Sequence, residues 1–388
     1  MTRFARLKSL FLSQSLAAWL VFAAPRLLRA DSTVSYKYED YREAGGRMAI
    51  KTQTALLQQS FGPDTAVKVT GVIDAIAGAT PNGQPAPAGS DQVVLTQMHD
   101  RRKAWTADAS HQFSGFSLDL GIANSRESDY TSTGWSVNTV TDFNQKNTEL
   151  LAGVAATDDD VKVAFQPNWA KKHTQSLIVG VTQLLDPRSS LNLELSWGHA
   201  DGFLSDPYKL VQKNAPVAPG IFLPFTYGEN RPDTRTTWTA RAAINHAFTD
   251  WHAALEAAYR FYHDTYGTDA HTLELTWLQH LGARFLLQPE LRFYEQSAAR
   301  FYYYRLDDTS IVPTFGPPRT AGPFYSSDHR LSALRTSTAG LKAIWQPKTG
   351  LQFDVAFDQY TMRGRDGVTP QSAYPRANIV TAGLSLSW

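Results

Sequence analysis

The chain ends on the stretch Ala373-Tyr374-Pro375-Arg376-Ala377-Asn378-Ile379-Val380-Thr381-Ala382-Gly383-Leu384-Ser385-Leu386-Ser387-Trp388. From Val380 to Trp388 every second residue is apolar, and the residues between them are small or polar. Neighbouring residues of a strand point to opposite faces, so this stretch predicts a strand with one apolar and one polar face. A closing strand of this kind, ending on an aromatic residue, is typical of a bacterial outer-membrane barrel, with lipid outside and water inside.

The same alternation recurs along the chain, most clearly in residues 191–197, 251–261, 273–277 and 351–358. Carboxylates such as Glu194 and Asp354 lie between apolar residues in these segments. A carboxylate is tolerated there only if its side chain meets water or a partner. The repeated pattern therefore indicates many strands, each with one polar face.

The connections between these segments are alternately short and long. The short ones are rich in Gly, Pro, Asn and Asp, as tight turns require, and they fall at 62–64, 114–115, 145–147, 186–189, 249–250, 282–284 and 347–350. The others fall at 42–46, 77–101, 127–131, 157–171, 201–234, 265–269, 305–328 and 363–371.

These connections predict an all-β fold, namely a single transmembrane antiparallel barrel of about sixteen strands with short periplasmic turns and long external loops. An even count places both chain ends on the short-turn side. Counts of 14 or 18 stay open, because a faint strand such as 160–165 is compatible with two placements, one that crosses the membrane and one that extends above it.

The amino end is typical of an exported protein. Arg3, Arg6 and Lys8 precede an apolar stretch from Ser9 to Ala24, which predicts a secretory signal peptide over 1–30 and a barrel over 31–388. A retained anchor helix is the alternative interpretation. The predicted mature chain has no apolar run long enough for a membrane helix.

Composition narrows the function classes further. The chain has no cysteine, which excludes disulfides and thiolate metal sites, and it shows no basic cluster that would indicate a nucleic-acid partner. Its 10 Trp, 16 Tyr and 20 Phe are enough to form two interfacial girdles around a barrel. We expect no cofactor and no metal.

Three segments also resemble a known family of bacterial outer-membrane proteins. They are residues 36–43 (YKYEDYRE) with Gly46 and Arg47, residues 74–83 (DAIAGATPNG), and residues 98–102 (MHDRR). These segments carry a resemblance to the domain-of-unknown-function family 3570. The resemblance extends over essentially the whole predicted mature chain. The resemblance implies a barrel and no established activity. Trp388 is a departure, because outer-membrane barrels more often end in Phe.

By alternation, eleven charged residues are predicted to line the lumen: Lys68, Asp74, Glu194, Glu256, Arg260, Glu274, Glu290, Arg292, Lys342, Asp354 and Asp358. One hypothesis is that they form rings that give a pore a weak preference for cations. The favoured alternative is that they pair across adjacent strands and stabilise the wall.

Two further segments allow two interpretations each. One interpretation of residues 74–81 is a small-residue loop that folds inward, with Asp74 and Arg101-Arg102 at its base. The interpretation that we favour is an external turn. For the aromatic run Phe301–Tyr304, the favoured interpretation is that it belongs to the external girdle and rim. The alternative is a platform that binds sugar or lipid.

Acidic runs and candidate catalytic residues are weak signals. Asp158-Asp159-Asp160 and Asp307-Asp308 lack the spacing of a calcium loop, so we expect solvated acids. There is no Gly-x-Ser-x-Gly elbow and no His-Glu-x-x-His motif. His263-Asp264 and Ser327-Asp328-His329 place suitable groups close in sequence, but adjacent strand residues point apart. We therefore predict no catalytic residues and no enzyme.

Three hypotheses for function remain. The favoured one is a passive pore or transporter for small solutes in the outer membrane of a Gram-negative bacterium. The alternatives are a non-conducting scaffold for a periplasmic or surface partner, and a barrel enzyme acting on lipid or peptide. The expected partners are outer-membrane lipids, the barrel-assembly machinery through the strand ending at Trp388, and a small solute.

Overall fold

The computed structural model describes residues 32–163 and 168–388, which form a closed antiparallel barrel of sixteen strands. The predicted signal peptide lies outside the described residues. The barrel strands are β1 (Ser32–Glu43), β2 (Met48–Phe61), β3 (Thr65–Pro81), β4 (Leu95–Gln112), β5 (Phe116–Arg126), β6 (Tyr130–Phe143), β7 (Thr148–Val161), β8 (Ala170–Asp186), β9 (Ser189–Gly202), β12 (Thr234–Phe248), β13 (Ala253–Asp264), β14 (Asp269–Leu281), β15 (Phe285–Gln296), β16 (Leu334–Lys348), β17 (Leu351–Gly364) and β18 (Arg376–Ser387). A separate hairpin of β10 (Leu210–Ala218) and β11 (Ile221–Gly228) lies between β9 and β12.

The predicted fold class is confirmed. Successive barrel strands pair with each other, and β18 closes the ring by pairing with both β17 and β1. Seven short turns lie at one end, the turn end, and eight connections lie at the other, the loop end. Ser32 and Trp388 exchange backbone hydrogen bonds at the turn end, as the even strand count requires. Among the described residues, no helix is long and apolar enough to cross a membrane.

The outer face of the wall is apolar. Leu193, Leu195 and Val355, on β9 and β17, are 43%, 60% and 56% exposed, although they are large aliphatic residues. The polar residue between the two leucines, Glu194, has a side chain that is only 28% exposed. The apolar face of these strands thus points outward, and the described strands of the wall enclose no apolar core. This is the surface expected of a barrel surrounded by lipid.

Aromatic side chains gather near both ends of this apolar surface. Near the turn end, Phe113 stacks on Phe116 and Trp345 stacks on Phe285, with ring centroids 4.7 and 6.2 Å apart. Nearer the loop end, other tryptophans are exposed on the outer face, among them Trp135, Trp197 and Trp238. Two aromatic girdles are a feature of outer-membrane barrels, where the rings lie at the two interfaces.

The structure corrects one predicted connection. Residues 74–81 are neither an inward loop nor an external turn, because β3 continues to Pro81 and pairs with β4 as far as Leu95. The true connection is 82–94. Gly78 adopts a φ of +141°, and a side chain there would collide with the backbone of Arg47, so the small residues permit close strand contact. The faint strand at 160–165 begins inside β7, which ends at Val161, and adds no barrel strand among the described residues.

Replacing Leu195 by Arg should test the outer face. A cation at the middle of the lipid-facing wall should destabilise the barrel, so that the free energy of unfolding in lipid vesicles falls by roughly 2–4 kcal/mol. Glu194→Gln, on the opposite face of the same strand, is the matched control and should change it far less. Urea titration in vesicles measures both. Equal stability of Leu195→Arg and the native chain would contradict a lipid-facing wall.

Candidate functional site at the loop end

Two long connections fold over the loop end of the barrel. Residues 203–233 and 297–333, named the plug here, are joined by hydrogen bonds between Asn230 and Tyr325 and from the Leu306 amide to the Gln212 carbonyl. The plug also reaches the 82–94 connection, where the Leu210 amide donates to the Asn82 carbonyl over 2.7 Å. Since β9 and β4 are separated in the ring by β8, β7, β6 and β5, the plug extends across much of the mouth.

Apolar side chains hold the plug together. Val211, Leu306 and Tyr325 form one cluster with exposures of 0%, 0% and 3%. Phe301 and Leu331 form another with residues of neighbouring connections. Burial of this kind stabilises a loop by roughly 1.5–3 kcal/mol for each fully buried large side chain. The plug is thus packed like a small domain.

The aromatic run therefore has a different role from either interpretation of it. Phe301 is buried against Tyr266, and Tyr302 bonds to Thr369 of the connection between β17 and β18. The Tyr304 hydroxyl accepts a hydrogen bond from the Ala86 amide. The prediction of a girdle or rim was wrong, because these rings pack inside the plug and fasten it to neighbouring connections.

A buried ionic network lies within the plug. Asp328, which is 1% exposed, accepts hydrogen bonds from Arg231 at 2.8 Å and from Arg330 at 2.6 and 2.9 Å. Arg231 also contacts Glu229 at 2.6 Å, and Arg330 contacts Asp206 at 2.5 Å. The network joins both segments of the plug, because Asp328 and Arg330 belong to one segment and the other three residues to the other.

Burial sets the protonation of this network. Burial raises the pKa of Glu229 to about 7, although Arg231 acts in the opposite direction. Burial also acts to raise the pKa of Asp328, but Arg330 and the other neighbouring cations outweigh it and hold that pKa well below its usual range. Burial lowers the pKa of Lys209, whose ammonium group donates to the Pro81 carbonyl. Asp328 is thus the anion on which the network depends.

A cavity of about 890 Å³ lies beside the plug. Its lining includes acids, among them Asp129 and Asp206, and cations, among them Lys172, Arg235 and Arg330. Ligand pockets in proteins have volumes of about 300–1,000 Å³. The cavity is large enough for a small hydrophilic solute.

Most of the predicted lumen charges lie beside a charge of opposite sign. The pairs are Lys68 with Asp108 at 3.3 Å, Asp74 with Arg102 at 2.6 Å, Glu194 with Arg241 at 3.8 Å, Lys342 with Asp354 at 3.7 Å, and Glu274 with both Arg260 at 3.5 Å and Arg292 at 3.0 Å. Glu256 is exposed on β13. The remaining two, Glu290 and Asp358, reach each other across Gly340, where a side chain would collide with both.

The sequence analysis did not include three of these partners among the predicted lumen charges, although alternation could have found them. Arg102 and Asp108 fall on the opposite face of β4 from the exposed Trp105. Arg241 likewise alternates with the exposed Trp238 on β12. The ionic network of the plug had no such signal, because its residues lie in irregular connections.

The candidate catalytic groups do not assemble into a triad. The Ser327 hydroxyl lies 2.9 and 2.6 Å from the carbonyl oxygens of Gly83 and Leu210, and Asp328 is engaged by arginines. His263 pairs with Asp269 at 2.6 Å, whereas its neighbour Asp264 is fully buried and pairs with Arg235. These contacts give a structural role to each group.

The acidic runs have partners as well. Asp158 and Asp159 pair across the β7–β8 ladder with His173 and Lys172 at 2.8 and 3.0 Å, and Asp160 pairs with Lys171. The prediction of solvated acids was therefore wrong for Asp159, which is buried, whereas Asp158 is exposed. Asp307 accepts from the Asn214 amide at 2.6 Å.

One acidic cluster was not singled out from the sequence. Carboxylate oxygens of Asp100, Glu127 and Asp129 lie within 4.8 Å of one another, an arrangement that could hold a divalent cation. Ser128 and Tyr208 already donate hydrogen bonds to two of these carboxylates.

The contribution of His329 to the stability of the plug should fall as the pH is lowered, whereas Glu229, whose pKa burial raises to about 7, acts in the opposite direction. Burial lowers the pKa of His329 to about 4, below the ordinary 6.5, so the opened loop binds the extra proton. The contribution of His329 is complete above pH 6.5 and lost as the pH falls toward 4, by about 3 kcal/mol in all. Hydrogen exchange of the Leu331 and Ser332 amides, measured at pH 4 to 7, reports this opening.

His329→Gln is the comparison for this pH dependence. Glu229 titrates in the same range and is present in both proteins, so the difference between the two profiles isolates His329. We expect that difference to grow between pH 4 and 6.5. Parallel profiles would contradict a buried neutral imidazole.

Comparison with solved structures finds proteins of similar fold. CdiB from Acinetobacter baumannii is similar at a TM-score of 0.52 and 7% identity, over 92% of this chain and 60% of that chain. The CymD monoaromatic hydrocarbon channel has a TM-score of 0.43 and 9% identity, over 96% and 93% of the two chains. The ferric enterobactin receptor PfeA of Pseudomonas aeruginosa has a TM-score of 0.44 and 12% identity, over 92% and 59%. At these identities the likeness concerns the fold alone.

The chain spans about 60% of the length of the receptor and of CdiB. A comparison with curated proteins gives no match. A family model described as "Protein of unknown function (DUF3570)" matches residues 15–170 and 162–388. The chain therefore belongs to the DUF3570 family, as its sequence segments predicted.

Proposed function

We propose that this barrel is a passive pore or transporter for small hydrophilic solutes in the outer membrane of a Gram-negative bacterium. The observation that supports the proposal most is the combination of an apolar outer wall with a cavity of about 890 Å³ beside a plug that extends across the mouth. A wall of sixteen strands encloses an aqueous channel unless loops fill it. The plug then limits the size of what enters.

In this proposal the eleven charges face the lumen. Because most of them pair across adjacent strands, their first role is to keep the wall rigid and wet. Rings of such charges also bias which ions pass. The cation preference inferred from the sequence would then come from the acids that have no basic partner of their own, such as Glu256.

A scaffold function is the second candidate. The plug carries exposed apolar side chains: Phe222 at the β10–β11 turn is 63% exposed, and Val312 and Phe315 are 72% and 73% exposed. Large exposed apolar residues of this kind are common where a protein meets a partner. A barrel with such a rim, but without conductance, would fit the scaffold better than the pore.

Conductance in planar bilayers separates the two candidates. The native chain should pass a small, steady current. Asp328→Ala leaves Arg231 and Arg330 without the carboxylate that they share, a loss of about 3–5 kcal/mol for a buried pair. The plug should loosen, and the current should rise roughly twofold or more because the mouth widens.

Glu295→Gln is the control for this measurement. Glu295 pairs with Arg365 at the loop end of the barrel, where both side chains are about half exposed and an ion pair contributes about 0–1 kcal/mol, so the current should not change. No current from the native chain or from Asp328→Ala would contradict the pore and favour the scaffold. Equal currents from all three proteins would contradict the role of the plug in limiting passage.

A further inference from the structure

A second, smaller cavity of about 180 Å³ lies where the plug meets the wall. Four arginines line it: Arg235 of β12, Arg260 of β13, Arg292 of β15 and Arg330 of the plug. No carboxylate belongs to this lining within the part of the chain that the structure describes. The other lining residues are neutral, among them Thr239, Thr268 and Gln296, so a small cavity in which every charged group is a guanidinium is chemically suited to an anion.

The charges around this cavity are unevenly distributed. Arg235 pairs with Asp264 at 2.5 Å, and Arg330 pairs with Asp206 and Asp328 of the plug. In contrast, Arg260 and Arg292 both form ion pairs with the same oxygen of Glu274, at 3.5 and 3.0 Å. One carboxylate cannot neutralise two guanidinium groups, so a positive charge remains on the wall.

The hydrogen bonds are incomplete in the same place. The Nε atom of Arg260 is buried without an acceptor, although its guanidinium carries five donors. The Thr268 hydroxyl, on the rim of the same cavity, is buried without a partner too. Unsatisfied buried donors cost free energy, and an anion that accepted from this wall would recover part of it.

Size and access fit a small oxyanion. A cavity needs about 10–15 Å³ of this kind of volume to hold one water molecule, so about 180 Å³ leaves room for a phosphate or a carboxylate group. Arg235, Arg330 and Leu331 also line the cavity of about 890 Å³. A solute in the larger cavity therefore reaches the arginines directly.

Acidic residues near this part of the wall lie farther from the mouth. Glu290 is two residues from Arg292 along β15, toward the turn end, and Glu256 is four residues from Arg260 along β13. Neither lines the small cavity. The positive region is thus confined to the level just beneath the plug.

We propose that this arginine cavity binds the oxyanion group, carboxylate, phosphate or sulfate, of a small anionic solute. Guanidinium groups bind such groups through paired N–H···O bonds. The inference deepens the proposed function and rests on it for the route by which the solute arrives. It identifies the solute as an anion. The lumen charges as a whole had instead suggested a weak preference for cations.

Calorimetric titration of the full chain, folded in detergent micelles at low salt, tests the inference independently of conduction. Inorganic phosphate, sulfate and acetate are the probes, and the tightest of the three identifies the group. Arg292→Gln and Arg260→Gln should each weaken binding about tenfold, because each removes a charged donor. Glu274→Gln should strengthen it, since it removes the competing carboxylate.

Arg188→Gln, in the exposed turn between β8 and β9, makes the same charge change away from the cavity and should leave binding unchanged. A variant that loses its fold would bind less tightly, so tighter binding by Glu274→Gln would show that weaker binding by the arginine variants is not a general effect of mutation on the fold. Absence of binding by all three anions to the native chain would overturn the inference, even if the barrel conducts. Binding to a barrel that does not conduct would support the anion site and contradict the pore.

Discussion

The hydrogen bonds between β1 and β18 are the constraint on which the rest of this structure depends. Paired from Thr33 with Ser387 to Glu43 with Ala377, they leave no open edge in the ring. Lipid offers no partner to a free N–H or C=O group, and each would cost several kcal/mol there. Closure is therefore what permits the apolar outer face, and the outer face in turn leaves the polar residues to the lumen.

The plug follows a different principle from the wall. Outside the β10–β11 hairpin its backbone is irregular, so side chains must fix it, and Asp328 supplies the charge that Arg231 and Arg330 share. Removing a buried anion from such a network costs far more than removing a surface pair. The same burial that makes the plug rigid also makes it sensitive to charge. The site that we propose for anions lies where this rigid plug meets the wall.

The sequence predicted the wall well because its determinants are local. Alternation within about ten residues and turn residues between strands determine the strand count and the apolar face that carries Leu193 and Leu195. The plug could not be predicted, since its contacts join residues far apart in sequence, such as Asp206 with Arg330 and Ser327 with Gly83. The errors at 74–81 and at Phe301–Tyr304 have one cause: glycine and aromatic residues suit several environments, and distant contacts decide among them.

A nitroxide scan of β9 tests the central claim most directly, and the absence of native cysteine makes single-cysteine labelling clean. Labels at positions 193 to 197 in lipid vesicles are compared for collisions with oxygen, which concentrates in lipid, and with a water-soluble nickel complex. We predict that the labels at Leu193, Leu195 and Trp197 favour oxygen and that those between them favour nickel. Equal accessibility along the strand, or the reverse alternation, would contradict a closed barrel with lipid outside and water inside.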